Sequence, residues 1–127
     1  MVRPTRLILG ILLATGGTLA GCVDADRPGT CAADAVTLEV TVAADGMEPN
    51  PAEICTGQDV TLSLRPEVDG VFHIHGLDAH VPATTIFDGE PLDLAFTPDR
   101  SGQFPVELHP ADDPRGIAIG IITIYER

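Results

Sequence analysis

Four histidines are the residues of this chain best suited to chemistry, and three of them lie within eight positions. His73 and His75 are two residues apart, which places both side chains on one face of a β-strand with Cα atoms roughly 6.5–7 Å apart. Two imidazoles in that arrangement can reach one cation at about 2.0–2.1 Å from each nitrogen. His80 follows shortly, and His109 ends another predicted strand. The spacing predicts a metal site with His73, His75 and His109 as the main ligands and His80 as a further candidate.

The chemistry of imidazole indicates which metals the predicted site would bind, and nearby carboxylates could orient its rings. Imidazole nitrogens suit copper and zinc. Because a metal binds the neutral ring, its affinity should fall as the pH drops through the histidine range near about 6.5. The alternative interpretation is that the histidines are polar surface residues that bind no metal. Four nearby carboxylates could orient a ring by accepting its second N–H: Asp78, Glu107, Asp112 and Asp113.

Other reactive sets of side chains are incomplete in this sequence. Ser63 and Ser101 are the only serines, and neither lies in a G-x-S-x-G turn of the kind that presents a nucleophile. There is no glycine-rich phosphate loop. We therefore assign no catalytic residue, and we expect a binding protein rather than an enzyme.

The histidines lie in a chain of short segments that alternate between apolar and polar residues. Val36 to Val42 alternates with a period of two, which is typical of a half-buried strand. Gly116 to Tyr125 is almost wholly apolar, as a central strand would be. Together with five similar segments they predict about seven strands in an all-β sandwich or barrel. The other predicted strands lie at 52–55, 60–64, 71–76, 92–96 and 104–108, while residues 77–90 could be strand or loop.

Length and charge exclude several classes of function. The chain of 127 residues has 19 acidic and 7 basic side chains, a formal net charge of −12. That length is typical of one domain. Nucleic-acid binding depends on Lys and Arg that neutralise phosphates, so this acidic chain is not expected to bind nucleic acid. Direct contact between the folded domain and anionic lipid is excluded on the same ground.

The N-terminal residues have a different character from the rest of the chain. Arg3 and Arg6 precede an apolar stretch that begins at Leu7, and the run Leu19-Ala20-Gly21-Cys22 closes it. This arrangement resembles a bacterial lipoprotein signal with its lipobox. In that family the cysteine, here Cys22, is acylated and becomes the first residue of the mature chain. A plain secretory signal and an uncleaved anchor helix are the alternatives.

The lipoprotein resemblance implies a division of the chain and a location. The signal would occupy residues 1–21, the lipidated cysteine and a tether residues 22–35, and one domain residues 36–127. Loss of Arg3 and Arg6 with the signal would change the net charge from −12 to −14. The mature protein would be held by its lipid in the cell envelope, on the extracytoplasmic side of a membrane.

Two cysteines remain when Cys22 is assigned to the lipid. An even pair in an oxidising compartment predicts a disulfide between Cys31 and Cys55, which would restrict the unfolded chain by about 3–4 kcal/mol. Two buried free thiols are the alternative interpretation. Neither cysteine lies in a C-x-x-C or beside a histidine, so metal binding by these thiols is the least favoured option.

The order of the strands resembles that of the cupredoxins. Met47 to Ile54, followed by Gly57 to Leu62, is similar to an early strand pair of that family. Phe96 to Phe104 is similar to its F-T-x-D-x-x-G-x-Y approach to the last ligand loop, and His73 or His75 falls at its first copper ligand. The resemblance covers most of the chain from residue 36 and implies a cupredoxin-like Greek-key β-sandwich.

The sequence departs from the cupredoxin pattern at the copper ligands. Leu108 occupies the position of the family's copper-binding cysteine, His109 follows it, and no methionine comes after Met47. Without the thiolate there is no His₂Cys trigonal site. Blue-copper electron transfer is therefore not expected.

A narrower resemblance links two segments to the copper/zinc superoxide dismutases. Gly70 to His75 resembles that family's G-F-H-x-H, and Leu108 to Asp113 resembles the region of its later copper ligand. The long zinc-ligand loop of that family is missing. The resemblance implies copper ligands and an anion guide: His73, His75 and His109 as ligands, His80 in place of the bridging histidine, and Arg115 as the guide.

Together these features predict a lipid-anchored envelope protein whose cupredoxin-like domain binds a metal ion through histidines. Copper(II) is preferred over zinc, and the membrane is contacted through the lipid alone. The first alternative is a metal-free domain that binds another envelope protein. The second is a small copper-dependent dismutase.

Overall fold

The computed structural model describes residues 28–127, which fold into two β-sheets. The predicted signal at residues 1–21 and the lipidation site Cys22 lie outside the described residues. Within the described part, no helix has the length and hydropathy that a membrane crossing requires. The nine strands are β1 (Ala35–Ala43), β2 (Gly46–Glu48), β3 (Ala52–Cys55), β4 (Asp59–Pro66), β5 (Gly70–Ile74), β6 (Thr84–Ile86), β7 (Leu92–Phe96), β8 (Gly102–His109) and β9 (Ile117–Tyr125).

The two sheets pack face to face because most strands present an apolar side chain at every second position. One sheet has the order β2-β1-β4-β7 and the other β3-β9-β8-β5-β6. β1 pairs in parallel with β4 and β3 with β9, so the chain crosses repeatedly between the sheets. Val40, Leu62, Phe72 and Ile122 are at most 1% exposed and form part of the core between them.

The predicted all-β sandwich is confirmed, and the strand count is nine rather than about seven. The two additional strands are β2 and β6, each three residues long. A strand of three residues is too short to show a period of two, so its pairing partner defines it. Residues 77–90, left open by the sequence pattern, contain β6 at Thr84–Ile86 and turns before it.

The residues just before β1 are packed against the sandwich. Gly29–Ala32 forms one turn of 3₁₀-helix in which Cys31 is buried. Cys31 is joined to Cys55 by the expected disulfide, with Cα atoms 5.4 Å apart. The boundary expected at residue 36 therefore lies inside the packed region, because the disulfide fixes part of the expected tether to β3.

A buried glutamine completes this attachment. Gln58 is 0% exposed, and its Oε1 accepts a hydrogen bond from the Cys55 N–H at 2.8 Å. Its Nε2 donates to the carbonyl oxygens of Thr30 at 2.6 Å and Ala33 at 2.9 Å. One side chain thus pairs three backbone groups, of which the Thr30 carbonyl also accepts the N–H of Ala33 at 3.1 Å.

We expect Gln58→Met to lower the free energy of unfolding by about 2–3 kcal/mol, because an apolar side chain of similar size removes the partners of the Cys55 N–H and the Ala33 carbonyl. Urea denaturation measures this loss. Gln103→Met is the matched control, since Gln103 is exposed on β8 and its replacement should change stability by less than about 0.5 kcal/mol. Equal stability of the two variants would contradict this account of Gln58.

Candidate metal centre

The pairing of β5 with β8 brings two parts of the sequence together on the outer face of the five-stranded sheet. His73 lies opposite Glu107, and Val71 lies opposite His109. Their neighbours Phe72 and Leu108 point inward and are buried, so the alternation of each strand directs these polar residues outward. Residues that are far apart in the sequence therefore share one surface.

His75 lies one residue beyond the end of β5 and is held in line with it by the backbone. Its N–H donates to the carbonyl oxygen of Pro105 at 2.9 Å. Gly76 then turns the chain with φ +82°, a conformation that favours glycine. Arg100 donates to the Gly76 carbonyl oxygen, and its guanidinium lies 5.3 Å from the centre of the Phe104 ring. This turn keeps the His75 ring next to that of His73.

The side chains of His73, His75 and Glu107 converge on one point of the surface. One possible ligand atom from each lies within 4.8 Å of the other two. His75 Nε2 is 2.8 Å from Glu107 Oε2, and the rings of His73 and His75 are 4.4 Å apart between centroids. His109 borders this group: its Nε2 is 3.4 Å from the same oxygen, and its ring is 6.1 Å from that of His73. We call His73, His75, His109 and Glu107 the histidine cluster.

The carboxylate of Glu107 is stabilised by the rings around it. The hydrogen bond from His75 lowers the pKa of Glu107 below its usual value, and the charges of His75, His109 and His73 add to this effect. Partial burial of the Glu107 carboxylate, which removes it from water, raises its pKa and opposes this effect. Because the pKa is lower in the folded state, the interaction stabilises the fold above the usual carboxyl range and is lost as the pH falls through the lowered value.

We therefore expect His75→Ala to move the titration midpoint of Glu107 upward, toward that of an ordinary glutamic acid. Carbon-13 NMR of the side-chain carboxyl in the metal-free protein measures this midpoint. A midpoint that is the same in the variant and the parent protein would contradict the role given to the His75 hydrogen bond.

The hydrogen bond of His109 to Pro114 defines which ring nitrogen faces Glu107. A carbonyl oxygen can only accept, so His109 Nδ1 carries the proton that it donates to Pro114 at 3.3 Å. The Nε2 lone pair of a neutral ring would then face the Glu107 carboxylate. Either a second proton on the ring or a cation between the two groups removes this repulsion. A neutral His109 ring therefore presents Nε2 as a possible metal ligand beside Glu107, and a protonated ring forms an ion pair with it.

His73 has a carboxylate of its own. Its Nε2–H donates to Asp78 Oδ1 at 2.7 Å, and this bond lowers the pKa of Asp78 below its usual value. The bond assigns the proton to Nε2 and leaves Nδ1 as the ring nitrogen with a lone pair. A carboxylate on the second N–H is the usual partner of a metal-binding histidine.

Gly116 lies against the histidine cluster and leaves room for it. A Cβ at this position would overlap Glu107 Oε2 and would lie 2.9 Å from His109 Cε1. Both atoms belong to side chains that can turn away, so an added methyl group should displace them without unfolding the strand.

We expect Gly116→Ala to weaken copper(II) binding by about tenfold while the unfolding midpoint changes little, because the methyl group moves Glu107 and His109 rather than the backbone. Calorimetric titration and urea denaturation measure the two quantities. Gly46→Ala is the control, since a Cβ there would meet no atom within 4 Å. Equal copper affinity in both variants would contradict this role of Gly116.

The remaining residues predicted to take part lie outside the cluster. His80 Nε2 is 3.4 Å from Asp99 Oδ1 and does not join the group of converging ligand atoms. Asp113 accepts hydrogen bonds from Arg115, which lowers the pKa of the carboxyl. The structure places the rings of His73, His75 and His109 beside one another, and their role as metal ligands stays a prediction. The His80 ring faces Asp99 instead, because the chain turns at Gly76.

Glu107 has a more central position than the sequence indicated. It was expected to accept the second N–H of a ring, yet its carboxylate lies between two imidazoles. The available signal was its alternation with buried Val106 and Leu108, which put it on the same face as His109. Its position opposite His73 depends on the pairing of β5 with β8, which the sequence alone does not give.

The donors of the cluster suit an N/O-binding divalent metal. They are imidazole nitrogens and one carboxylate, and two donors at about 2.0 Å and at right angles around one ion lie about 2.8 Å apart. His75 Nε2 and Glu107 Oε2 are 2.8 Å apart, which is also the length of the hydrogen bond that joins them in the metal-free protein. In the described residues both cysteines belong to the disulfide, so the cluster contains no thiolate. The residues fit copper(II) or zinc(II), and they do not form a His₂Cys blue-copper site.

Comparison with known proteins identifies the fold. No protein-family model and no curated protein matches this chain. A laccase from Pediococcus acidilactici has a similar structure, with a TM-score of 0.60 and 18% identity over 79% of this chain and 28% of the laccase chain. This chain therefore spans little more than a quarter of the laccase it matches.

Smaller proteins match over most of their own length. A copper binding protein solved in its apo form has a TM-score of 0.55 and 13% identity, over 72% of this chain and 89% of that protein. Auracyanin B has a TM-score of 0.51 and 16% identity, over 69% of this chain and 87% of its own. Identities this low establish the fold and nothing finer. The described domain is a cupredoxin-like β-sandwich.

Proposed function

We propose that this domain binds one copper(II) ion at the histidine cluster. The observation that carries the proposal is the convergence of ligand atoms from His73, His75 and Glu107 within 4.8 Å on an outer sheet face. Glu107 is shared by His75 and His109, whereas His80 pairs with a separate carboxylate, Asp99. The cluster places two imidazoles against Glu107 and a third beside it.

The position of His109 Nε2, 3.4 Å from the Glu107 carboxylate, allows this ring to act as a further ligand. His109 presents Nε2 to the carboxylate while Nδ1–H is held by the Pro114 carbonyl. His73 is oriented by Asp78 in the manner of a ligand held by a second carboxylate. These residues would hold the ion, and copper when bound would supply a Lewis-acidic, redox-active centre.

Copper(II) is proposed over zinc(II) because a site of nitrogen and oxygen donors binds copper more tightly in the Irving–Williams order. One of the similar structures is a copper binding protein in its apo form, and this agrees with the choice without deciding it. Zinc remains the competing ion, since its ligands in proteins include the same side chains.

Calorimetric titration of the purified chain with copper(II) and with zinc(II) tests this function. We expect saturable binding of one copper ion per chain, tighter than binding of zinc, and weaker in acid because protons compete for imidazole. No saturable binding of either ion would favour the metal-free interaction domain instead. Tighter binding of zinc would overturn the assignment of copper.

We also propose that the protein is held in the cell envelope by a lipid on Cys22. The proposal is supported by the lipobox-like residues 19–22 and by the disulfide, which requires an oxidising compartment. Mass spectrometry of the protein from membranes would show a lipid-modified Cys22 and no residues before it. An unmodified Cys22 in mature protein would contradict the anchor.

A further inference from the structure

A groove lies beside the histidine cluster and shares His109 with it. Its volume is about 450 Å³, within the range of small-molecule sites. Val71 and Thr85, which are register partners on β5 and β6, contribute its floor. Phe87 lies on one side, and the loop at residues 110–114 lies on the other.

The lining of this groove combines apolar surface with carboxylates. Val71, Ile86, Phe87 and Ala111 supply apolar atoms, and none of the lining residues is Lys or Arg. Phe87 is 51% exposed, so about half of its surface is available to a ligand in the groove. An apolar ligand would cover this ring.

Two of the carboxylates that line the groove have no cationic partner in the described part of the chain. Asp69 accepts only the backbone N–H of Asp88, at 2.8 Å, and Asp112 is exposed. The third, Asp113, is paired with Arg115. The groove therefore has uncompensated negative charge beside an exposed aromatic ring.

We propose that this groove binds a small organic ammonium ion with an aromatic or aliphatic body. The body would cover Val71 and Phe87, and the ammonium group would lie near Asp69 and Asp112. A cation near the face of an aromatic ring gains further attraction from the ring quadrupole. An organic anion of the same shape would be repelled by the same carboxylates. The inference does not depend on metal binding.

Three probes of matched shape and different charge test the proposal: 2-phenylethylammonium, 2-phenylethanol and phenylacetate. Amide NMR shifts of the purified, metal-free protein report where each probe binds and how tightly. We expect saturable binding of the ammonium probe, with shifts at Val71, Thr85 and Ala111. The neutral probe should bind more weakly by up to about fivefold for each exposed charge pair that is lost, and the anion more weakly still.

Two double variants separate the groove from the general acidity of the protein. Asp69→Asn/Asp112→Asn should weaken the ammonium probe by about fivefold or more, while asparagine keeps an oxygen for the Asp88 N–H. Asp59→Asn/Glu126→Gln removes the same charge from the other end of the strands, where β4 begins and β9 ends, and should have less than about a twofold effect.

Three results would overturn the proposal. The first is an absence of saturable binding by the ammonium probe. The second is equal binding of all three probes, which would leave a merely apolar groove. The third is equal weakening by the two double variants, which would mean attraction by net charge alone.

Discussion

Replacement of His75 by alanine is expected to weaken copper(II) binding at least about 100-fold. The ring supplies a ligand atom next to Glu107, and its loss also frees the carboxylate to turn away. Changes to groups that only orient a metal ligand already cost about 10–100-fold in affinity, so loss of a ligand should cost at least the upper end of that range. Calorimetric titration with copper(II) measures the change, and the fold should survive because His75 is exposed beyond the end of β5.

His80→Ala is the matched control for this variant. It removes the same side chain from a nearby turn, where the ring faces Asp99 rather than the cluster. We expect its copper affinity to lie within about twofold of the parent protein, since surface changes away from a site have small effects. Similar losses in the two variants would mean that copper binds the histidines of this region without a defined site.

Removal of the disulfide is expected to have the largest effect on stability. Cys31 and Cys55 are separated by 24 positions, and a closed loop of that size contributes about 3 kcal/mol by restricting the unfolded chain. Domains of this size are stable by only about 5–15 kcal/mol, so the double variant Cys31→Ala/Cys55→Ala should unfold at a much lower urea concentration.

Reduction of the parent protein provides the control for this variant. Reductant should shift the parent toward the unfolding midpoint of the double variant and should leave the double variant unchanged. If the oxidised and reduced parent proteins unfold at the same urea concentration, the disulfide has no stabilising role.

Most of the sandwich could be predicted because its long strands alternate clearly. The segment from Val36 to Val42 and the apolar run before Tyr125 correspond to β1 and β9. β2 and β6 were missed because each has three residues and is defined by hydrogen bonds to a longer neighbour. The packed turn around Cys31 was missed because it has no periodicity; the disulfide and the Gln58 side chain hold it in place.

The part of the candidate site that depends on spacing within one strand could be predicted, and the part that depends on pairing between strands could not. The spacing of His73 and His75 within one strand indicates a shared face, since that is a local property of β-structure. The position of Glu107 between the rings depends on the pairing of β5 with β8, which is a tertiary property. His80 was close to the others in sequence only, because the turn after His75 directs the chain elsewhere.

The departure from the cupredoxin copper pattern follows from one strand position. Leu108 is fully buried and packs in the core, where the resemblance would place the copper-binding cysteine. The neighbours that point outward, Glu107 and His109, lie on the opposite face of β8 and contribute to the cluster. The proposed copper site is therefore on the outer face of the five-stranded sheet, with donors that differ from the His₂Cys set.

Pulsed electron paramagnetic resonance of the copper(II)-loaded protein tests whether imidazole nitrogens of the histidine cluster hold the ion. We expect one copper ion per chain, with hyperfine coupling to imidazole nitrogens that is strongly reduced in His73→Ala/His75→Ala, where only His109 of the cluster remains, and unchanged in His80→Ala. A copper signal without imidazole coupling, or a signal that is the same in His73→Ala/His75→Ala and the parent protein, would contradict it.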